Sequence, residues 1–273
     1  MINNTFLLKR LTEDKMKKTI LLSLFIVLVG ILVNYAQPVD ALIEKGKALL
    51  YIGNVHFDQS ELFEARGMFE RALASDEENY LAHYYLAYTD YNLAVYFMQK
   101  KEAEQFQKFS DSSEKILQEL INENASDAET VSLLGALYGI QVAMNPGLGA
   151  SLGSQNIALT SEALGIARDN PRALLQKGIS KYNSPEFVGG SKEKALQYFT
   201  QSVEVFENQT GDETDIEWGY IDALAWLGIA HSSLGNFELA ITAFKKALDV
   251  EPDFAWIKYD LLPNAEEKLA SSN

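Results

Sequence analysis

Small residues return along this chain at matched distances, each among large apolar residues. Gly53 is followed twelve residues later by Ala65, and Gly228 is followed twelve residues later by Ala240. Glycine destabilises a helix interior, so its repetition there indicates that a neighbouring helix approaches too closely for a side chain. The sequence therefore predicts antiparallel pairs of helices that touch at these small residues.

One stretch, residues 221–254, carries a complete version of this pattern: IDALAWLGIAHSSLGNFELAITAFKKALDVEPDF. Its pattern residues are Leu224, Leu227, Gly228, Leu234, Gly235, Phe237, Ala240, Phe244, Ala247 and Pro252. The stretch resembles the tetratricopeptide repeat (TPR), a helix–turn–helix unit of 34 residues. The resemblance implies a solenoid of stacked helix pairs that binds other proteins through its concave side.

Small residues at Gly53, Ala87, Gly135 and Gly178 indicate four further pairs, with extra residues in the last three connections. The predicted repeats lie near residues 46–79, 80–120, 128–170, 171–207 and 221–254, and residues 255–270 form a predicted cap. The predicted fold class is therefore all-α, a TPR-like antiparallel helix-pair solenoid of about five pairs plus a C-terminal capping helix.

A second resemblance concerns residues 128–207, which include the string NPRALLQKGISKYNSPEFVGGSKEKALQYF. This part of the chain is similar to a segment of exported bacterial TPR proteins of unknown function. It is also similar to periplasmic TPR partners of some substrate-binding transport systems. Both likenesses imply export and binding, and neither brings catalytic residues with it.

The beginning of the chain is typical of a secretory signal peptide. An apolar run, residues 20–33, follows Lys15, Lys17 and Lys18, and the small residue Ala36 comes shortly after it. Fourteen apolar residues are short for a membrane span, which needs about 20. Positive charge, a short apolar run and a small residue together predict a leader that is removed on export.

The predicted domains are therefore a signal peptide, residues 1–36, and a helical repeat domain, residues 37–273. Translation can begin at Met1 or at Met16, which starts the leader pattern directly. The alternative to cleavage is a protein anchored in the membrane by residues 20–33. Either way we expect an exported protein, periplasmic or secreted, whose membrane contact is limited to an uncleaved leader.

Composition excludes several classes of function. The chain has 38 acidic and 23 basic residues, a formal charge of −15, which opposes binding to nucleic acid. It has no cysteine, so thiolate metal sites and cysteine nucleophiles are excluded. The repeat register places His56, His83 and His231 where TPRs have core aromatic residues. We therefore predict no metal, no cofactor and no enzymatic activity.

The concave side of the predicted solenoid is the candidate binding surface. Family lining positions, carried onto this chain, are rich in tyrosine, which offers contact area together with a polar tip. The candidate binding residues are Tyr51, Asn54, Tyr84, Tyr85, Tyr88, Tyr91, Asn92, Gln176, Tyr182, Asn183 and Trp226. The alternative is that some of these rings are buried beneath the neighbouring insertions.

The expected partner is a protein or peptide. Leu50, Glu129 and Leu133 stand where some TPRs have the lysines and arginines that capture acidic peptide ends. A neutral or mildly basic ligand is therefore expected. The predicted function is a non-catalytic scaffold that binds a protein or peptide after export across the inner membrane, and the alternative is a periplasmic ligand-binding accessory of a transport system.

Overall fold

The computed structural model describes residues 38–209 and 216–272, and the predicted signal peptide lies outside them. The described residues form helices and no strand. The helices are α1 (Val39–His56), α2 (Gln59–Ser75), α3 (Tyr80–Lys100), α4 (Ala103–Glu123), α5 (Ala128–Met144), α6 (Ser154–Ile166), α7 (Pro171–Asn183), α8 (Lys192–Asn208), α9 (Tyr220–Ser233), α10 (Phe237–Val250) and α11 (Leu262–Ser272). In this part of the chain no helix has the length and apolar character to cross a membrane.

Local chemistry determines where several helices begin. The side chains of Asp58, Asn79, Asp127 and Asn170 each accept a hydrogen bond from a backbone N–H in the first turn of α2, α3, α5 and α7. Pro171 lies in the first turn of α7, where its missing N–H would have no partner in the helix. These caps separate the chain into consecutive helices with short connections.

The helices pack as antiparallel neighbours, and glycines mark where they cross. A Cβ atom on Gly228 would lie 2.3 Å from the Phe244 ring, and one on Gly178 would lie 2.4 Å from the Phe199 ring. The ring of one helix therefore occupies the space that a side chain on its partner would need. Gly135 lies in the same way against α6, where a Cβ atom would be 3.1 Å from the nearest atom.

The second pair uses alanine at the crossing. Ala87 in α3 is completely buried, and the Ser113 hydroxyl of α4 donates a 2.9 Å hydrogen bond to its carbonyl oxygen. The predicted helix crossings at Gly53, Ala87, Gly135, Gly178 and Gly228 are confirmed. The predicted fold class, five pairs and a C-terminal helix, is confirmed as well.

The first pair differs from the predicted register in one respect. In the last pair the Phe244 ring lies over Gly228, and the same spacing predicts the Phe69 ring over Gly53. Gly53 contacts Leu62, however, and the Phe69 ring lies over Gly46, two helical turns earlier. The reason is the position of the turn. Phe57, four residues after Gly53, has a left-handed backbone (φ 54°), whereas in the last pair the left-handed residue comes seven residues after the packing glycine. The first pair therefore turns three residues sooner.

Contacts between the first and last pairs bring the two ends of the array together. The Tyr51 hydroxyl of α1 donates a 2.6 Å hydrogen bond to the Glu251 carboxylate, which follows α10. Val55 of α1 belongs to the same buried cluster as Phe254 and Ile257. The first helices of the pairs consequently enclose an interior.

Helix α11 covers the last pair by packing against α10, with Ala265 buried. The sequence suggested that Pro263 could break this helix. The helix continues through Pro263, but a π-helical turn, Ile257–Leu261, directly precedes α11, so regular α-helical hydrogen bonding is interrupted just before the proline.

We expect Gly228→Ala to destabilise the protein by about 1–3 kcal/mol, because the added Cβ atom overlaps the buried Phe244 ring. Gly67→Ala is the matched control: Gly67 lies inside α2, and a Cβ atom added there would have no atom within 4 Å. Alanine at this position should be neutral or stabilise by up to about 1 kcal/mol. Urea unfolding followed by circular dichroism measures both. Equal stability changes in the two variants would contradict the close crossing.

Candidate functional site

Side chains from three of the first helices, α1, α3 and α7, contact one short segment of the chain. We call this surface, formed by the interior sides of α1, α3, α5, α7 and α9, the inner face. Residues Ile216–Gly219, which directly precede α9, lie against it, and we call them the inner segment. Ile216 is buried with 5% of its surface exposed, and helix begins only at Tyr220. The inner face therefore holds a non-helical piece of its own chain.

Three tyrosines of α3 bind this segment. The Tyr85 hydroxyl accepts a 2.9 Å hydrogen bond from the backbone N–H of Glu217. The Tyr84 hydroxyl accepts one of 3.1 Å from the indole Nε1 of Trp218. The Tyr88 ring stacks on the Trp218 ring, with 4.3 Å between their centroids. Two successive residues of the inner segment are thus held by one helix.

The hydroxyls of these tyrosines stay protonated in this setting. Burial raises the pKa of Tyr85 to about 12, and it also raises the pKa of Tyr84 and of Tyr88. A phenol that stays neutral can both accept and donate a hydrogen bond. The α3 surface therefore offers neutral polar tips on apolar rings.

Two cations of the inner face also contact the segment. Lys47 of α1 donates a 2.8 Å hydrogen bond to the Glu217 carboxylate and one of 2.9 Å to Glu44. Burial disfavours the charge of Lys47, but these two carboxylates outweigh it and keep its pKa above the ordinary value. Arg172 of α7 donates a 3.2 Å hydrogen bond from Nη1 to the carbonyl oxygen of Trp218.

Arg172 is itself held by a buried ion pair. Its guanidinium lies 2.7 Å from the Glu129 carboxylate of α5, and both side chains are less than a tenth exposed. Asn170 donates a further hydrogen bond of 2.6 Å to Glu129. Removing one partner of such a pair would leave a buried charge, at a cost of about 3–5 kcal/mol. The pair therefore fixes the direction of the Arg172 donors.

The predicted binding residues fall into three groups by exposure. Those that are buried are Tyr84, Tyr85, Tyr88 and Gln176. Those that are half-buried are Asn54, Tyr91, Asn92, Tyr182 and Trp226. Those that are exposed are Tyr51 and Asn183. For the three buried tyrosines the structure matches the alternative that rings lie beneath an insertion, since they contact the chain itself.

The half-buried members contact one another, a buried neighbour or their own helices. Tyr182 packs edge-on against Trp226 with 5.6 Å between ring centroids, and Tyr91 stacks on Tyr88 at 6.2 Å. The amide of Asn92 donates to the carbonyl oxygen of Tyr88 in the same helix. Whether this set binds a partner stays a prediction.

Other expectations need correction. His56 is exposed, so it is not a core substitute for an aromatic residue, while His83 and His231 are half-buried. On the inner face Lys47 contacts the acidic Glu217 of the chain itself, while the expected neutral or mildly basic ligand stays a prediction. Within the described ranges no group of histidine, aspartate and glutamate is arranged to hold a metal ion.

The main residues that sequence reasoning missed are Glu217 and Trp218. They follow the polar stretch of residues 208–215, and the repeat pattern assigns no role to a connection of this kind. A signal was present, since Ile216, Trp218 and Tyr220 place large apolar groups directly after polar residues.

Comparison with known proteins gives the architecture a family context. Residues 221–254 match the family described as Tetratricopeptide repeat. TTC0263, a thermophilic TPR protein in Thermus thermophilus, is 18% identical, with a TM-score of 0.55 over 82% of this chain and 99% of that one. The HusA haemophore from Porphyromonas gingivalis is 21% identical, with a TM-score of 0.54 over 71% and 92%. Among curated proteins no sequence matches the chain.

We expect Asp222→Asn to stabilise the protein at pH 7.5 by about 1–3 kcal/mol. Burial raises the pKa of Asp222, in the first turn of α9, to about 6 from an ordinary value of 3.8. The folded state therefore binds more protons between these values, and stability falls as the pH rises through that window. At pH 3.5 both states are largely protonated, and the variant and wild type should have nearly equal stability.

Thermal unfolding at both pH values measures the effect. Asp249→Asn, at an exposed position of α10, is the control and should change the melting temperature little at either pH. A stabilisation by Asp222→Asn that is the same at pH 3.5 and pH 7.5 would show that the carboxylate charge is not its cause.

Proposed function

Because the chain has the fold of tetratricopeptide-repeat proteins, we propose that it is a binding scaffold and not an enzyme, and that its inner face binds an extended segment of a protein partner. Proteins of this fold are generally non-catalytic scaffolds for protein interactions. The observation that carries the proposal is the bound inner segment. The inner face contacts its main chain, an acidic side chain and an aromatic side chain.

The charges of the inner face support binding over catalysis. Glu129 pairs with Arg172, and Lys47 pairs with Glu217 and Glu44. Groups neutralised in this way position a ligand, whereas an acid–base catalyst needs a group directed at a reacting atom. The reading as a small-molecule accessory of a transport system is less well supported, because side chains of the chain itself fill the inner face.

We further propose that the protein is exported, in accordance with its leader sequence. The support is the run of residues 20–33 behind Lys15, Lys17 and Lys18, followed by Ala36. An exported protein without cysteine keeps its structure regardless of the oxidising conditions outside the cytoplasm.

A photo-crosslinker tests the proposed binding surface. We expect p-benzoylphenylalanine in place of Tyr51, an exposed position of α1, to capture a partner in the cells that make this protein. The same residue in place of Leu239, an exposed position of α10, is the control. Mass spectrometry of the cross-linked peptides identifies the bound segment.

The proposal further requires that Lys47→Glu, which reverses a charge of the inner face, weakens capture at residue 51. A partner captured only through residue 239 would place the interface on the second helices and contradict the proposal.

Export has a separate test. We expect the protein isolated from its host to begin at Gln37, as determined by N-terminal sequencing, and to be found outside the cytoplasm. Leu28→Arg interrupts the apolar run and should retain an unprocessed protein, whereas Leu7→Arg, outside the run, should not. A membrane-bound protein with an intact leader would favour the anchor alternative.

A further inference from the structure

We infer that the inner segment occupies the partner's place, and that the inner face recognises an extended peptide in which an acidic residue is followed by tryptophan. The partner peptide and the inner segment then compete for one site. This inference rests on the proposed function and adds the chemistry of the partner. It follows from which groups of the segment the inner face contacts.

The inner face makes hydrogen bonds to the main chain of the segment, and these would be available to a peptide of any sequence. Tyr85 accepts from the N–H of one residue, and Arg172 donates to the carbonyl oxygen of the next. Helical residues would have these groups engaged within the helix, so the site selects peptide that is not helical. The Glu129 ion pair holds the Arg172 donor in place for this contact.

The first side chain of the motif is specified by charge. Lys47 is 8% exposed, and its second carboxylate, Glu44, lies on the same helix. The Glu217 side chain is about half exposed, so water screens its ion pair with Lys47 and the pair adds little affinity. The acidic residue therefore gives a several-fold preference over a neutral residue, and most of the affinity comes from the other contacts.

The second side chain is specified by shape and by one donor. Trp218 stacks on Tyr88, and its Nε1–H donates to Tyr84. Phenylalanine would keep the stacking but leave the Tyr84 hydroxyl without this donor, and tyrosine has no donor at the indole position. Tryptophan matches both contacts, and aromatic residues of this kind dominate the energetics of protein interfaces.

Residues 216–218 belong to no helix, so moving them off the inner face would interrupt no helical hydrogen bond. Gly219, which joins it to α9, has a left-handed backbone (φ 113°). The helix begins at the next residue, Tyr220. Because the segment is part of the chain, its effective concentration at the site is on the order of millimolar. A partner must therefore add contacts beyond these residues to displace it.

A labelled peptide tests the inference directly. Fluorescein-labelled IEWGY, which reproduces residues 216–220, is titrated into the purified protein, expressed from its complete coding sequence, and binding is followed by fluorescence anisotropy. Trp218→Ala removes the ring that occupies the site, so this variant should bind the peptide at least tenfold more tightly than wild type. Peptide IEAGY should not bind it, and IQWGY should bind several-fold more weakly than IEWGY.

Two further variants guard against a folding defect. Glu217→Ala alters a half-exposed residue, should fold normally, and should bind IEWGY somewhat more tightly than wild type. Tyr88→Ala combined with Trp218→Ala should lose the peptide, because the stacking partner is gone. Circular dichroism checks that each variant keeps its helical content.

The inference is overturned if folded Trp218→Ala or Glu217→Ala binds IEWGY no better than IEAGY. If the partner cross-linked through residue 51 is still captured in excess IEWGY, the scaffold function holds and only the motif fails. If neither partner nor peptide binds, both fail. A wild-type dimer that IEWGY dissociates in sedimentation would make a second copy of this chain the occupant, and would also overturn the proposed partner.

Discussion

The contact between a glycine on one helix and an aromatic ring on its partner sets the geometry of this protein. In three pairs a phenylalanine lies so close that even a methyl group would overlap it: Phe69 over Gly46, Phe199 over Gly178 and Phe244 over Gly228. Such contacts fix both the distance between the two helices and their rotation about their axes. They therefore decide which side of each first helix is turned to the interior. The inner face is a consequence of this packing.

The binding chemistry of the inner face comes from residues that the packing pattern leaves unspecified. Tyr84, Tyr85 and Tyr88 provide neutral hydroxyls on buried rings, and Lys47 and Arg172 provide charge. Burying any of these side chains without a polar or aromatic contact would be unfavourable. Each of them contacts a side chain of another helix or the inner segment. The same array can thus carry different recognition chemistry while its helix crossings stay unchanged.

Local patterns allowed the architecture to be predicted, since a repeat unit is a short-range feature. The helix pairs, the crossings and the C-terminal helix follow from spacings of a few tens of residues. The predicted register of the first pair was wrong because Phe57 adopts a left-handed backbone conformation, which a phenylalanine in the sequence does not indicate. The contacts that bury Tyr84 and Tyr88 come from Trp218, which lies 134 positions beyond Tyr84 in the sequence. Contacts over that distance depend on the path of the whole chain.

The hydrogen bond between Tyr51 and Glu251 has a consequence for the protein as a repeat array. Stacked repeats normally contact only their neighbours, so units can be gained or lost at the ends and can unfold one at a time. Here residues 200 positions apart in the sequence meet, which closes the array on itself. The number of repeats is thereby fixed, and loss of either terminal pair exposes the interior of the other. Such a protein gains the cooperativity of a globular domain and gives up the extensibility of a solenoid.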